Sequence, residues 1–329
     1  NRTFEIKVNC GRRGYPRQKV DIGEYTKLMK LGNEGRSTAT SIISYSIIDE
    51  LNAQGVESKD QKLLSFTDNR QDAALQAGHF NDFLSTIRLR SALYHALKKS
   101  EEGFDINNIA ERVFDALKLE EVQHAQNPGS DPDFPEELNV RALKQYLLLR
   151  LFQDLKRGWR YTLPNLEQTA LLQIKYKPLK KLASFDERFE DIPPFNLMNH
   201  HEREDALIQV LNYFRTSFAI DHRILLNDRG ETENLLKNRL DESKLWSLDK
   251  NERIDAPKHL TITNPGRTRR GVYTASIGPR SGLGKFIKRK CLEHNVDSPD
   301  TESLLAILEN LCEALIGPGL LKKDKIRGD

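Results

Sequence analysis

The residues best suited to chemistry lie toward the C-terminal end of this chain. Lys258, Arg267, Arg269, Arg270, Arg280, Lys285, Lys288, Arg289 and Lys290 fall in a stretch with no Asp or Glu. Such cations gain affinity for phosphates by displacing condensed counterions, so nucleic acid is the expected partner. Of the 51 Lys and Arg in the chain, the other 42 stand against 48 Asp and Glu. A net charge of +3 therefore hides an acidic body and one basic segment. Tyr273 and Phe286 interrupt the cations. They would stack on sugars or bases, or serve a small core. The competing reading of the whole stretch is a solvated basic face.

Other chemistries are less well served. The run Gly278-Pro-Arg-Ser-Gly-Leu-Gly284-Lys285-Phe286 resembles a phosphate-binding loop. It has five residues between its outer glycines where that loop needs four, and Phe286 stands where a hydroxyl would hold magnesium. A basic loop touching a nucleic-acid backbone is expected in preference to an ATP site. Cys291 and His294 lie one helical turn apart and Cys312 follows, but no CxxC exists. Ordinary buried cysteines are expected, and Cys10 would bind metal only with ligands outside the chain. His200 and His201 precede Glu202 and Glu204, an arrangement open to acid/base work. A helix start, with acids favouring the dipole, is the simpler reading. His79 reads as a packed or capping residue. No catalytic residue, metal site or resident cofactor is expected in this chain itself.

The elements that must position these residues are mainly helical. Apolar residues recur at three- and four-residue spacing over 37–53, from about 69 to 97, and over 105–119 and 138–155. The same spacing recurs over 201–220, 231–245, 286–294 and 302–316, with a shorter candidate at 165–174. Residues 62–66 (KLLSF) read as a buried strand. Residues 259–263 and 272–276 read as two short strands around a turn, and 320–323 as a last strand. Residues 1–36 read as a tail or connector. The fold class is therefore mainly α with a small α/β portion. The expected divisions are 1–36 connector, 37–100 α/β unit, 101–250 helical insertion and 251–329 basic winged-helix-like module. No run of 18 apolar residues occurs, so no membrane partner is expected. Three cysteines are too few for a disulfide framework, and a cytoplasmic setting is the default.

Two segments resemble a known family. In KLLSFTDNRQDAALQAGHFNDF, residues 62–83, Phe66, Asp68, Arg70 and Ala73 match F-x-D-x-R-x-x-A. This is similar to motif IV, which opens the second RecA-like domain of superfamily II DEAD/DEAH-box helicases. The nearest likeness is the large bacterial Lhr/YprA-like subgroup. RGWRYTLPNLEQTALL, residues 157–172, resembles part of that subgroup's helical insertion. The resemblance places Asp68, Arg70 and Gln71 near nucleic acid. It implies a partial RecA-like unit, and a parent enzyme using ATP and magnesium. Its implied partners are DNA, the rest of the helicase, and repair or phage-defence proteins. A cap at Asp68 and a surface pair at Arg70 would account for those residues without function. So would a Trp159 anchor and an Asn165 cap, with Arg160, Pro164 and Glu167 in supporting places.

The departures define the expectation. There is no Walker A motif and no DEAD/DEAH box, and Gly266-Arg-Thr-Arg-Arg-Gly271 is not the arginine-finger motif QxxGRxGR. The expected role is an internal segment of an ATP-dependent helicase or translocase. It would grip DNA and guide the strand without hydrolysing ATP unaided. A protein-interaction module of a repair or defence complex is the alternative.

Overall fold

The computed structural model describes residues 4–8, 34–61, 70–100, 102–129, 136–157, 165–226, 228–262 and 271–324. Nine α-helices and five strands lie among them. The structure is mainly helical with little sheet, as the periodicity predicts. The strand expected at 62–66 lies outside the described residues, as do Cys10, Asp68, Trp159, Arg160 and Pro164.

The first strands make a three-stranded antiparallel sheet. β1 (Phe4–Val8) lies between β2 (Phe104–Asp105) and β3 (Leu172–Tyr176), with Ile6 opposite Ile174. β3 alternates, burying Leu172 and Ile174 while Gln173 and Lys175 face water. Two expectations change here. Part of the 1–36 segment is the central strand of a sheet rather than a tail. The helix expected at 165–174 is a single turn followed by β3. The Asn165 side chain accepts from the Gln168 backbone N–H at 2.8 Å, and Gln168 Oε1 accepts from the Asn165 N–H at 3.0 Å. Ala170 then turns left-handed at φ 67°, which ends the turn. From Leu172 onward, β1 supplies the backbone partners.

Four helices follow in order: α1 (Glu34–Ala53), α2 (Arg70–Lys98), α3 (Ile109–Leu117) and α4 (Glu136–Arg157). α4 is buried nearly all round, through Leu143, Tyr146, Leu147, Leu149, Leu151, Phe152 and Leu155. A helix apolar on every side must be enclosed, and α4 lies at the centre of the first core. α3 and α7 (Arg229–Arg239) pack against it. Phe218, Trp246 and Ile254 complete this core.

The second core joins α5 (Leu179–Ala183), α6 (His200–Thr216), α8 (Gly282–Glu293) and α9 (Thr301–Ile316). α9 buries Leu304, Ile307, Leu308, Leu311 and Leu315, one stripe at helical spacing. Each such side chain contributes roughly 1.5–3 kcal/mol of transfer free energy. Asn199 caps α6, accepting from the N–H groups of His201 and Glu202, while Glu202 reaches back to the Asn199 N–H at 3.2 Å. His200 and His201 are thus the exposed first turn of a capped helix.

The expected helical span 101–250 is not one packing unit. Its α3, α4 and α7 belong to the first core, while α5 and α6 belong to the second. Tyr176, at the end of β3, packs against both. Several boundaries also move. α3 begins at Ile109, because Phe104 and Asp105 pair with β1. α7 ends at Arg239, where Leu240 bridges to Ala125. Leu320–Lys323 forms no strand.

β4 (Lys258–Thr261) and β5 (Tyr273–Ser276) form a two-stranded parallel sheet, with His259 opposite Thr274. A wing is an antiparallel hairpin, so the winged-helix-like expectation fails at its strand pairing. Adjacent strands joined by a tight turn must run antiparallel. Here residues 262–272, and not a tight turn, separate β4 from β5 along the chain.

Candidate nucleic-acid interface

The described part of the basic stretch centres on α8. β5 leads into it through Ile277, which is buried and donates its N–H to the Thr261 carbonyl at 2.8 Å. The turn that follows is closed on Ser281. Its hydroxyl donates to the Gly278 carbonyl at 2.7 Å and accepts from the Gly278 and Gly284 N–H groups at 3.2 and 3.0 Å. The Lys285 N–H goes to the Ser281 carbonyl at 3.0 Å. A Cβ at position 284 would sit 2.2 Å from the Gly278 oxygen, so Gly284 is required by close backbone approach. The glycines thus serve a self-satisfied helix cap. Three N–H groups that a phosphate cradle would use are already engaged.

α8 then divides into two faces. Leu283, Phe286, Ile287 and Cys291 enter the second core. Lys285, Arg289 and Leu292 are exposed and Lys288 is half-buried, at positions that share one side of the helix. Arg280 is exposed in the turn before it. Arg280 and Lys285 have no ion-pair partner among the described residues. Tyr273, 57% exposed on β5, offers a ring to solvent. Phe286 is buried, so of the two aromatic candidates it serves the core.

Tertiary placement removes part of the expected charge. Lys290 is 5% exposed and donates to Glu293 at 2.6 Å, so it belongs to the interior and not to the basic edge. Arg289 lies 3.7 Å from the same carboxylate and 5.6 Å from the centre of the Phe286 ring. Exposed pairs of this kind hold little energy, about 0–1 kcal/mol, and leave Arg289 free to exchange partners. Backbone and side-chain hydrogen bonds from Ser303 hold the Asp300 carboxyl below its usual value, and the nearby Lys288 ammonium adds to this. A stretch free of acids along the chain is therefore flanked by two acids in space.

The other expected contacts do not converge on α8 within the described residues. Arg267, Arg269 and Arg270 lie outside them, with Asp68. Arg70 and Gln71 open α2, and their side chains lie outside the described portion, as does that of His79. Cys291 and Cys312 are free thiols, and no group of three or more potential ligands sits together among the described residues.

Several polar residues that spacing does not single out hold the scaffold. Asp154 receives Arg90 at 2.6 Å, and Glu252 receives Arg150 at 2.8 Å. Glu167 receives Arg215 at 2.7 Å. Arg203 is almost wholly buried and donates to the carbonyls of Phe195, Ala183 and Met198. Their signal in the sequence is weak, because each pair joins residues far apart along the chain. No helix among the described residues is long and apolar enough to cross a membrane. No family model, curated protein or solved structure matches this chain.

Proposed function

We propose that this chain is a DNA-binding segment of an ATP-dependent helicase or translocase, gripping nucleic acid and guiding a strand. The observation that carries the DNA-binding part is the solvent-facing edge of α8, which presents Lys285, Lys288 and Arg289, with Arg280 exposed in the preceding turn and Tyr273 exposed on β5. Cations on one helix face neutralise successive phosphates, and an exposed ring stacks on any base. The motif IV likeness at Asp68, Arg70 and Gln71 supports the helicase part. It also supports a partial RecA-like unit near residues 37–100. ATP and magnesium would act elsewhere in such an enzyme.

The test is fluorescence anisotropy with labelled DNA over a salt series. Lys285→Glu, Lys288→Glu and Arg289→Glu together should lower the slope of log affinity against log salt by about 2–3. An unchanged slope removes α8 from the interface. ATP hydrolysis by the purified chain would contradict the division of labour.

One observation favours the second reading, a protein-interaction module. α1 leaves Ile42, Ile43, Tyr45 and Ile47 exposed, with Ile43 at 59%. An apolar helix face in water is characteristic of a docking surface. Normal salt-dependent DNA binding with α1 made polar at Ile42 and Ile43 would favour the first reading.

A further inference from the structure

We propose that the cleft between α2 and α3 is a separate binding site for a ligand carrying a row of phosphates. The cleft has a volume of about 890 Å³. One wall is a stripe of α2 carrying Arg88 and His95, continued by Lys99 one residue past the end of the helix. At 1.5 Å of rise per residue, Arg88 and Lys99 are about 16 Å apart along the axis. The other wall is α3, which contributes Arg112, and Lys118 just past its end. Lys118 is the left-handed C-cap of α3, at φ 51°.

Paired and unpaired cations both occur on these helices, and this cleft gathers four that are unpaired among the described residues. Elsewhere on α2, α3 and α4, Arg90 pairs with Asp154, Lys144 with Glu111 and Arg150 with Glu252. Arg88, Lys99, Arg112 and Lys118 have no ion-pair partner among the described residues, although all four line one concavity. Two carboxylates, Glu102 and Asp115, also line it. Among the described lining residues, four permanent cations stand against two acids, and concave low-dielectric walls concentrate that positive potential. A lone cation on a convex surface is simply hydrated. Four unpaired ones along a trough attract a linear polyanion. Tyr45 of α1 stands at the rim, 39% exposed, where a base would stack.

The shared chemistry is a run of phosphates, whether from a short single strand or from a free polyphosphate. The site does not depend on α8 binding DNA.

Inorganic tripolyphosphate is the primary probe, by isothermal titration calorimetry. Arg88→Gln with Lys99→Gln and Arg112→Gln should weaken its binding at least tenfold. Lys180→Gln with Lys181→Gln, exposed cations of α5 that do not line the cleft, should leave it unchanged. Glu102→Gln removes a negative charge from the cleft and should tighten binding several-fold, a gain that misfolding does not produce. Competition by oligo-dT would identify a strand as the occupant, and failure to compete would identify a free polyphosphate; either outcome keeps the site. Tripolyphosphate affinity unmoved by both the triple variant and Glu102→Gln would overturn it.

Discussion

Replacing Glu167 with Leu should destabilise the protein by about 3–5 kcal/mol, because the Arg215 guanidinium would then be buried without a counter-charge. Arg215 lies at the C-terminal turn of α6 and its side chain is only 6% exposed, against 25% for Glu167. Its Nη2 donates to both Glu167 oxygens, at 2.8 and 2.7 Å, and to Asn212 Oδ1 at 3.2 Å. Its Nη1 donates to the Leu155 carbonyl at the end of α4. Burial works against the guanidinium charge, but Glu167 and Tyr176 outweigh it and hold Arg215 firmly protonated. Burial pushes the Tyr176 phenol up to about 12, so it stays neutral and donates to Asn212 at 2.8 Å. Arg215 therefore has no way to shed its charge when its partner is lost.

Glu167→Gln keeps an acceptor and loses the charge, so a smaller loss of about 1.5–3 kcal/mol is expected. Arg215→Met combined with Glu167→Leu removes both charges and leaves chiefly the Leu155 carbonyl unpaired, at about 1–3 kcal/mol. The double variant should therefore be the more stable by about 2 kcal/mol than Glu167→Leu alone. Urea unfolding followed by near- and far-ultraviolet circular dichroism measures this, with an unchanged m-value as the control. A loss under about 1 kcal/mol, or a double variant no better than the single, would refute the argument.

Three further outcomes are expected. Burial, above all, lowers the pKa of His124 and His222. The unfolded chain then takes up protons first, near pH 6.5, so stability should fall as pH drops from about 7 to 5. Gln at both positions should flatten that limb of a pH–stability curve. Burial, with Glu313 and Glu309 nearby, pushes the Cys312 thiol up to about 12, and burial also raises Cys291. In a Cys10→Ser background both thiols should react slowly with Ellman's reagent at pH 8 and rapidly after unfolding. Gly284→Ala forces a Cβ against the Gly278 carbonyl and should cost about 1–3 kcal/mol of stability, read as a lowered melting temperature. DNA affinity should fall with it if the turn holds Arg280 and Lys285 in place.

Helices were the most legible part of the chain, because their signal is local. The stripe Leu304, Ile307, Leu308, Leu311 and Leu315 of α9 needs no knowledge of what it packs against. The Asn199–Glu202 capping box is likewise complete within four residues. Charge segregation was also a property of the chain alone, and it drew attention to α8. Even Lys290 was partly legible. Its partner Glu293 stands one helical turn beyond the acid-free stretch, where a helix brings i and i+3 together.

The tertiary structure decided the rest, for a physical reason that recurs. A strand's partner lies wherever the chain returns, so no local pattern places β1 between β2 and β3 or makes β4 and β5 parallel. A helix buries only part of its surface, so charge in the sequence does not say which cations face water. That choice left Lys285 exposed and took Lys290 inside. It paired Arg90 with Asp154 while leaving Arg88, two residues earlier on the same helix, in the positive cleft. Composition determined that this chain carries a basic segment on a largely helical body. Only packing determined which of its cations remain available to an anion, because availability depends on which helix face is buried and which carboxylates the fold brings near.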